Sequence, residues 1–113
     1  MKKIIIFGML ITLLLLVSCG NQEKELANCL TQKEVKMYGA FWCSHCAEQK
    51  QLFGSAFQNI NYVECSLPDR SGQTQICKEK NITGYPTWEL ADGSRLEGVQ
   101  PLGILAQRAG CAW

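Results

Sequence analysis

Val35-Lys36-Met37-Tyr38-Gly39-Ala40-Phe41-Trp42-Cys43-Ser44-His45-Cys46 decides how the rest of the chain reads. Residues 35–41 are apolar and β-capable, the pattern of a buried central strand. Two thiols follow, two residues apart. Beyond Cys46, residues Ala47, Gln49-Lys50, Leu52-Phe53 and Phe57 recur at helical spacing, with Gly54 as a kink or stop. A Cys pair at such a junction can close a small disulfide and reopen it. Cys43, at or just before the helix N-terminus, is the candidate nucleophile, because unpaired backbone N–H groups and the helix dipole favour a thiolate there. Cys46, one turn inside, is the more buried, resolving thiol. Attack by Cys43 on a partner disulfide gives a mixed disulfide that Cys46 releases. The plainer alternative is a structural disulfide.

Outward from this stretch the elements alternate. Upstream, Glu23–Thr31 reads as a short helix with acids in its first turn, and it carries Cys29. Downstream, 61–65 is a second strand, 66–72 a loop by its turn residues, and 73–80 a short helix with Cys77. Tyr85-Pro86-Thr87-Trp88-Glu89-Leu90 is a strand entered through proline. Ala91-Asp92-Gly93 is a tight turn, 94–98 the returning strand, and 101–109 a final helix with Pro101 near its first position. Gly110 stops it, and Cys111 lies just beyond. The order predicts an α/β domain with a four-stranded mixed sheet flanked by helices.

Composition narrows the function. The 113 residues make one domain at most, with a formal charge of +1. Lys and Arg are scattered, which argues against a nucleic-acid partner. A chain this small buries only roughly 60–70% of its unfolded surface. Covalent staples would help it, and the sequence has seven cysteines.

The N-terminus sets the compartment. Met1-Lys2-Lys3 is a positive n-region, and 4–17 is an apolar run too short for a comfortable span, which takes about 20 residues. Leu16-Val17-Ser18-Cys19 resembles the bacterial lipobox, with Cys19 the lipidated residue; an uncleaved anchor or an ordinary signal peptide cut elsewhere is the alternative. The expected division is a signal peptide over 1–18, a lipidated end and spacer over 19–28, and the redox domain over 29–113. A lipid on Cys19 leaves six cysteines, which resolves the odd count. Loss of Lys2 and Lys3 with the signal peptide leaves nine bases against ten acids. The expected place is the bacterial cell envelope, on the periplasmic side or outer surface.

The Trp-Cys-x-x-Cys motif after a strand, with Tyr85-Pro86-Thr87 opening another strand some 40 residues on, resembles the thioredoxin superfamily. A lone CxxC is a weak signal; the combination is specific. Gly39 to Cys43, Gln49-Lys50-x-x-Phe53-Gly54, Tyr62 to Cys65 and Gly84 to Trp88 are more closely similar to the thioredoxin-like domain fused to bacterial vitamin K epoxide reductase homologues. That resemblance covers nearly all of residues 29–111. It implies a thioredoxin-like fold and thiol–disulfide exchange with exported proteins, without a cofactor. It also implies a monomer and a vitamin K epoxide reductase-like membrane oxidase as redox partner.

The resemblance assigns residue roles too. Pro86 is the expected cis-proline, with Tyr85 and Thr87 beside it in substrate binding and Trp42 flanking the site. His45 is expected to tune the pair by a hydrogen bond or partial positive charge near the Cys43 thiolate. That would give a potential on the order of −220 to −130 mV, above thioredoxin's. The pairings implied are Cys43–Cys46, Cys65–Cys77 and Cys29–Cys111. Cys65–Cys77 is read as a staple, with an electron relay left open. One departure stands out. Thioredoxin's buried acid, six residues before the first active Cys, is Met37 here. Glu64 could replace it, or could be exposed or salt-bridged. Two other classes compete: a non-catalytic binding domain, and a zinc site using Cys43, Cys46 and two of Cys65, Cys77 or His45. Structural zinc sites pair two short spacings, and 65–77 is too wide.

Overall fold

The structure is a computed structural model and describes residues 21–113. The proposed signal peptide and Cys19 lie outside the described residues. Helix α1 (Gln22–Gln32) carries Glu23 and Glu25 in its first turn, where the dipole favours acids, and buries Leu26, Ala27 and Leu30. The folded unit therefore starts before residue 29, and α1 already occupies residues 22–28 of the expected spacer. Leu26 and Ala27 are core residues, so the helix belongs to the domain.

Strand β1 (Lys36–Gly39) lies inside the sheet, parallel to β2 (Asn61–Glu64) and antiparallel to β3 (Thr87–Glu89). Strand β4 (Arg95–Glu97) pairs antiparallel with β3, giving the order β2-β1-β3-β4. A parallel pair needs a crossover. Helix α2 (Ser44–Phe53) supplies it and ends at Gly54, whose φ of 58° suits glycine; one 3₁₀ segment, Gly54–Asn59, then delivers β2. Helix α3 (Gln75–Glu79) precedes β3, and α4 (Leu102–Ala109) ends at Gly110 in the left-handed region. This is the mixed α/β sheet expected from the sequence.

The observed strands are shorter than expected, and two of the shifted helix starts have local reasons. Gln73 stays out of α3 because it bridges Ser66 across the loop. Pro101 sits just outside α4, and its carbonyl accepts the first amides, Ile104 N and Leu105 N.

Side chains alternate across the sheet with period two. Met37, Tyr62 and Trp88 face one core with α1, α2 and α4; Tyr38 and Val63 face a second, smaller core with Ile82, Cys65 and Cys77. Two disulfides staple the unit. Cys29–Cys111 ties α1 to the chain after α4, and Cys65–Cys77 ties the end of β2 to α3.

Gln49 of α2 is fully buried, yet no polar atom of it is wasted. Its Oε1 accepts from Trp88 Nε1 (3.1 Å) and Gln100 N (2.7 Å), and its Nε2 donates to Gln100 O (3.0 Å). Helix, central sheet and the lead into α4 are thus locked by one amide. Gln49→Leu should cost about 2–4 kcal/mol in urea unfolding, since it strands a buried indole N–H and a backbone amide. An unchanged midpoint would show that water replaces those bonds.

Candidate active site

Cys43 is the N-cap of α2, with extended backbone (φ −80°, ψ 123°). A turn sets it there: its own N–H donates to Ala40 O, and its carbonyl takes the Ala47 N–H. Its sulfur is half-buried and unbonded, at the end of the helix where the dipole favours negative charge. Cys46, one turn on, is 1% exposed and also a free thiol. Burial pushes the Cys46 thiol up to about 11, partly offset by the Ala40 backbone amide and reinforced by the neighbouring Cys43. The two sulfurs therefore differ as an attacking and a resolving thiol should: one reachable, one shielded and protonated at neutral pH.

Opposite Cys43 runs the loop into β3. The Tyr85–Pro86 bond is cis, and the Cys43 thiol donates to Tyr85 O at 3.7 Å. Tyr85 is held from behind, its hydroxyl accepting from Gln73 Nε2 at 2.9 Å. Thr87 is buried, and its hydroxyl donates to Gly84 O at 2.7 Å. It closes the loop on itself, so of the expected substrate-binding trio only Tyr85 and Trp42 have surface to offer. Trp42 lies edge-on to Tyr85 at 6.0 Å between centroids, 46% exposed, its Nε1 donating to Ser66 Oγ at 2.7 Å. Phe41 is as exposed, with the Arg70 guanidinium 5.6 Å from its ring. Together they form an apolar rim beside the reachable sulfur.

His45 lies in the first turn of α2, between the two thiols. It points to solvent, Nδ1 3.8 Å from Glu48 Oε2, and among the described hydrogen bonds none joins it to Cys43. Whatever it does to Cys43 from there acts through space. Cys65 and Cys77 are completely buried in the second core, on the far face of the sheet from Cys46. Because they bond to each other there, the zinc constellation weighed from the sequence is not assembled, and among the described residues no group of three or more His, Cys, Asp or Glu is placed to hold a metal.

Met37 is fully buried at the position of the missing acid. Glu64 is neither exposed nor salt-bridged. Its Oε2 accepts from Phe41 N (3.2 Å) and Ser66 N (3.1 Å), and its Oε1 from Tyr62 Oη (3.1 Å). Tyr62 and Gly39 are the two site residues that sequence reasoning missed. A Cβ on Gly39 would meet Tyr62 Cε2 at 2.9 Å and Cys46 Sγ at 3.0 Å, so glycine here makes room for both. The signal for Tyr62 was strand parity, since it pairs with Met37; that register is set by the parallel crossover and is not written in either strand alone.

No family model matches the chain. Over 89 residues it is 45% identical to the thiol–disulfide oxidoreductase LTO1 of Arabidopsis thaliana, covering 75% of this chain and 23% of that protein. Over 68 residues it is 38% identical to a probable protein disulfide-isomerase, ER-60, of Schistosoma mansoni, covering 57% of this chain and 14% of that one. The chain thus spans less than a quarter of the length of these curated relatives. Among solved structures, oxidised mitochondrial thioredoxin 3 of Saccharomyces cerevisiae is similar at 23% identity and a TM-score of 0.45, covering 67% of this chain and 74% of that one. A β2-β1-β3-β4 mixed sheet, a CxxC at the β1–α2 junction and a cis X–Pro before β3 are together a thioredoxin-like fold.

Proposed function

We propose that the protein is a thiol–disulfide oxidoreductase that exchanges disulfides with protein substrates through Cys43 and Cys46. One observation carries this reading: a reachable N-cap thiol meets the Tyr85 carbonyl beside an apolar rim, a buried thiol follows one turn later, and neither is in a disulfide. The similarity to relatives named for the same chemistry supports it. Cys43 attacks the substrate disulfide, one substrate sulfur leaves as thiolate, and Cys46 then displaces the other while the Cys43–Cys46 disulfide forms. Run in reverse, the same steps oxidise a dithiol. Tyr85 O is the backbone acceptor beside the exchanging sulfur, suited to an extended substrate backbone once Cys43 has reacted, and Trp42 and Phe41 offer it apolar contact.

The proposal extends to place and partner. The lipobox-like Leu16-Val17-Ser18-Cys19 supports an exported, membrane-tethered protein of the bacterial envelope. There a vitamin K epoxide reductase-like membrane oxidase could re-oxidise it. The direction favoured is oxidation, on the strength of His45 between the cysteines.

Equilibration in glutathione buffers, with the alkylated fraction of Cys43 and Cys46 as readout, tests activity and direction together. A single two-electron transition is expected on the order of −220 to −130 mV, above thioredoxin's roughly −270 mV. A value at thioredoxin's level would reverse the proposed direction, and no transition at all would remove the activity.

A further inference from the structure

We propose that Tyr62 and Glu64 are the proton relay of Cys46, the Tyr62 hydroxyl passing the thiol's proton to Glu64 Oε1. The inference rests on the exchange reading above and supplies the step that reading leaves open. Before Cys46 can displace a substrate sulfur from Cys43, its S–H bond must break. Burial keeps that thiol protonated at neutral pH. A group must take that proton, and the strand position of the missing acid holds Met37.

The geometry points to β2. A Cβ on Gly39 would lie 3.0 Å from Cys46 Sγ and 3.3 Å from Tyr62 Oη, so sulfur and hydroxyl both border the space that glycine leaves empty. Their separation cannot exceed those two distances combined, which is the reach of a contact bridged by one water. Tyr62 Oη is already aimed at Glu64 Oε1, 3.1 Å away. The carboxylate is fixed on its other oxygen by two backbone amides, Phe41 N and Ser66 N. It is also partly open to water, through which a proton can leave. Tyr62 is a conduit and not the base: burial, and next the Glu64 carboxylate, raise its own pKa far above neutrality. Besides Cys43 and Glu64, the charged neighbour is Lys50 of α2, its Nζ 4.6 Å from the Tyr62 ring centroid.

The step balances. Cys46–SH and the Glu64 carboxylate become Cys46–S⁻ and Glu64–COOH, while Tyr62 gives up one proton and gains another. The thiolate then forms the bond to Cys43 Sγ, and the substrate sulfur leaves with the electron pair. In the oxidising direction the same path returns a proton to departing Cys46.

Stopped-flow reaction of the fully reduced protein with a chromogenic aromatic disulfide separates the steps. The first burst of coloured thiolate reports Cys43 attack, the second its displacement by Cys46. Tyr62→Phe, which keeps the ring beneath Lys50, and Glu64→Gln should leave the first burst intact. They should slow the second by about tenfold or more at neutral pH. Its rate should climb about tenfold per pH unit in the variants and less steeply in the wild type, because only the variants depend on hydroxide to remove the proton. Second bursts with wild-type rate and slope, or a loss shared equally by both bursts, would overturn the relay and leave the exchange reading standing. A wild type with no first burst would overturn both.

Discussion

Replacing Cys43 with Ser should abolish the proposed exchange, and replacing Cys46 with Ser should turn the protein into a trap. An insulin-reduction assay driven by dithiothreitol reads the first result. The expected loss is ~10³-fold or more, to the uncatalysed background, because the thiolate is the nucleophile and a serine hydroxyl does not attack a disulfide. The asymmetry between the variants is the informative part. Cys43 is reachable at the N-cap of α2, whereas Cys46 is 1% exposed beneath it. Cys43→Ser leaves only a shielded thiol with a raised pKa, which cannot meet a substrate disulfide. Cys46→Ser leaves the attacking sulfur in place and removes the one that resolves, so Cys43 should accumulate in stable mixed disulfides. Equal behaviour of the two variants, with neither trapping substrate, would show that the sulfurs have no division of labour.

Removing Cys65–Cys77 should have the opposite profile: a large loss of stability and little loss of exchange. The bridge closes a loop across a sequence separation of 12, worth about 3 kcal/mol, which for a domain of this size lowers the Tm by roughly 10–20 °C. Both sulfurs are 0% exposed and pack with Tyr38 and Ile82, whereas Cys46 packs with Met37 and Trp88 across the sheet. Direct transfer between the pairs would require sulfurs from two separate cores to meet. Cys65→Ala with Cys77→Ala, assayed well below its lowered Tm, should retain insulin reduction within about threefold. An exchange rate as low as that of Cys43→Ser would establish the bridge as an electron relay. The bridge reaches the site in another way, since Ser66 follows Cys65 directly and orients Trp42. A modest loss through Trp42 is therefore consistent with a staple.

Much of this was legible in the chain. The run 35–41 reads as a strand because Val35, Met37, Tyr38 and Ala40 are apolar and buried, with β1 itself over Lys36–Gly39, and Gly54 and Gly110 end helices at positive φ. The CxxC junction and the Tyr85–Pro86 loop were visible as motifs, and the structure brings them within one hydrogen bond. What stayed hidden depended on register or on satisfied polar groups. Gln49 reads as a surface residue on any polarity scale and is the buried hub of three bonds. Tyr62 could be assigned to the α2 face only once Met37 was known to lie beside it. His45 was read from its place between two cysteines, and its approach to Glu48 one turn on was not part of that reading. Thr87 was carried by its motif, and its hydroxyl is used within the loop.

The central claim is that exchange passes through one sulfur, Cys43. The most direct measurement is the attachment site in the Cys46→Ser protein after reaction with a disulfide-bonded peptide, read by mass spectrometry of the non-reduced digest. The account predicts the peptide half on Cys43, with Cys29–Cys111 and Cys65–Cys77 intact. Attachment at Cys65 or Cys77, or no covalent adduct at all, would contradict it.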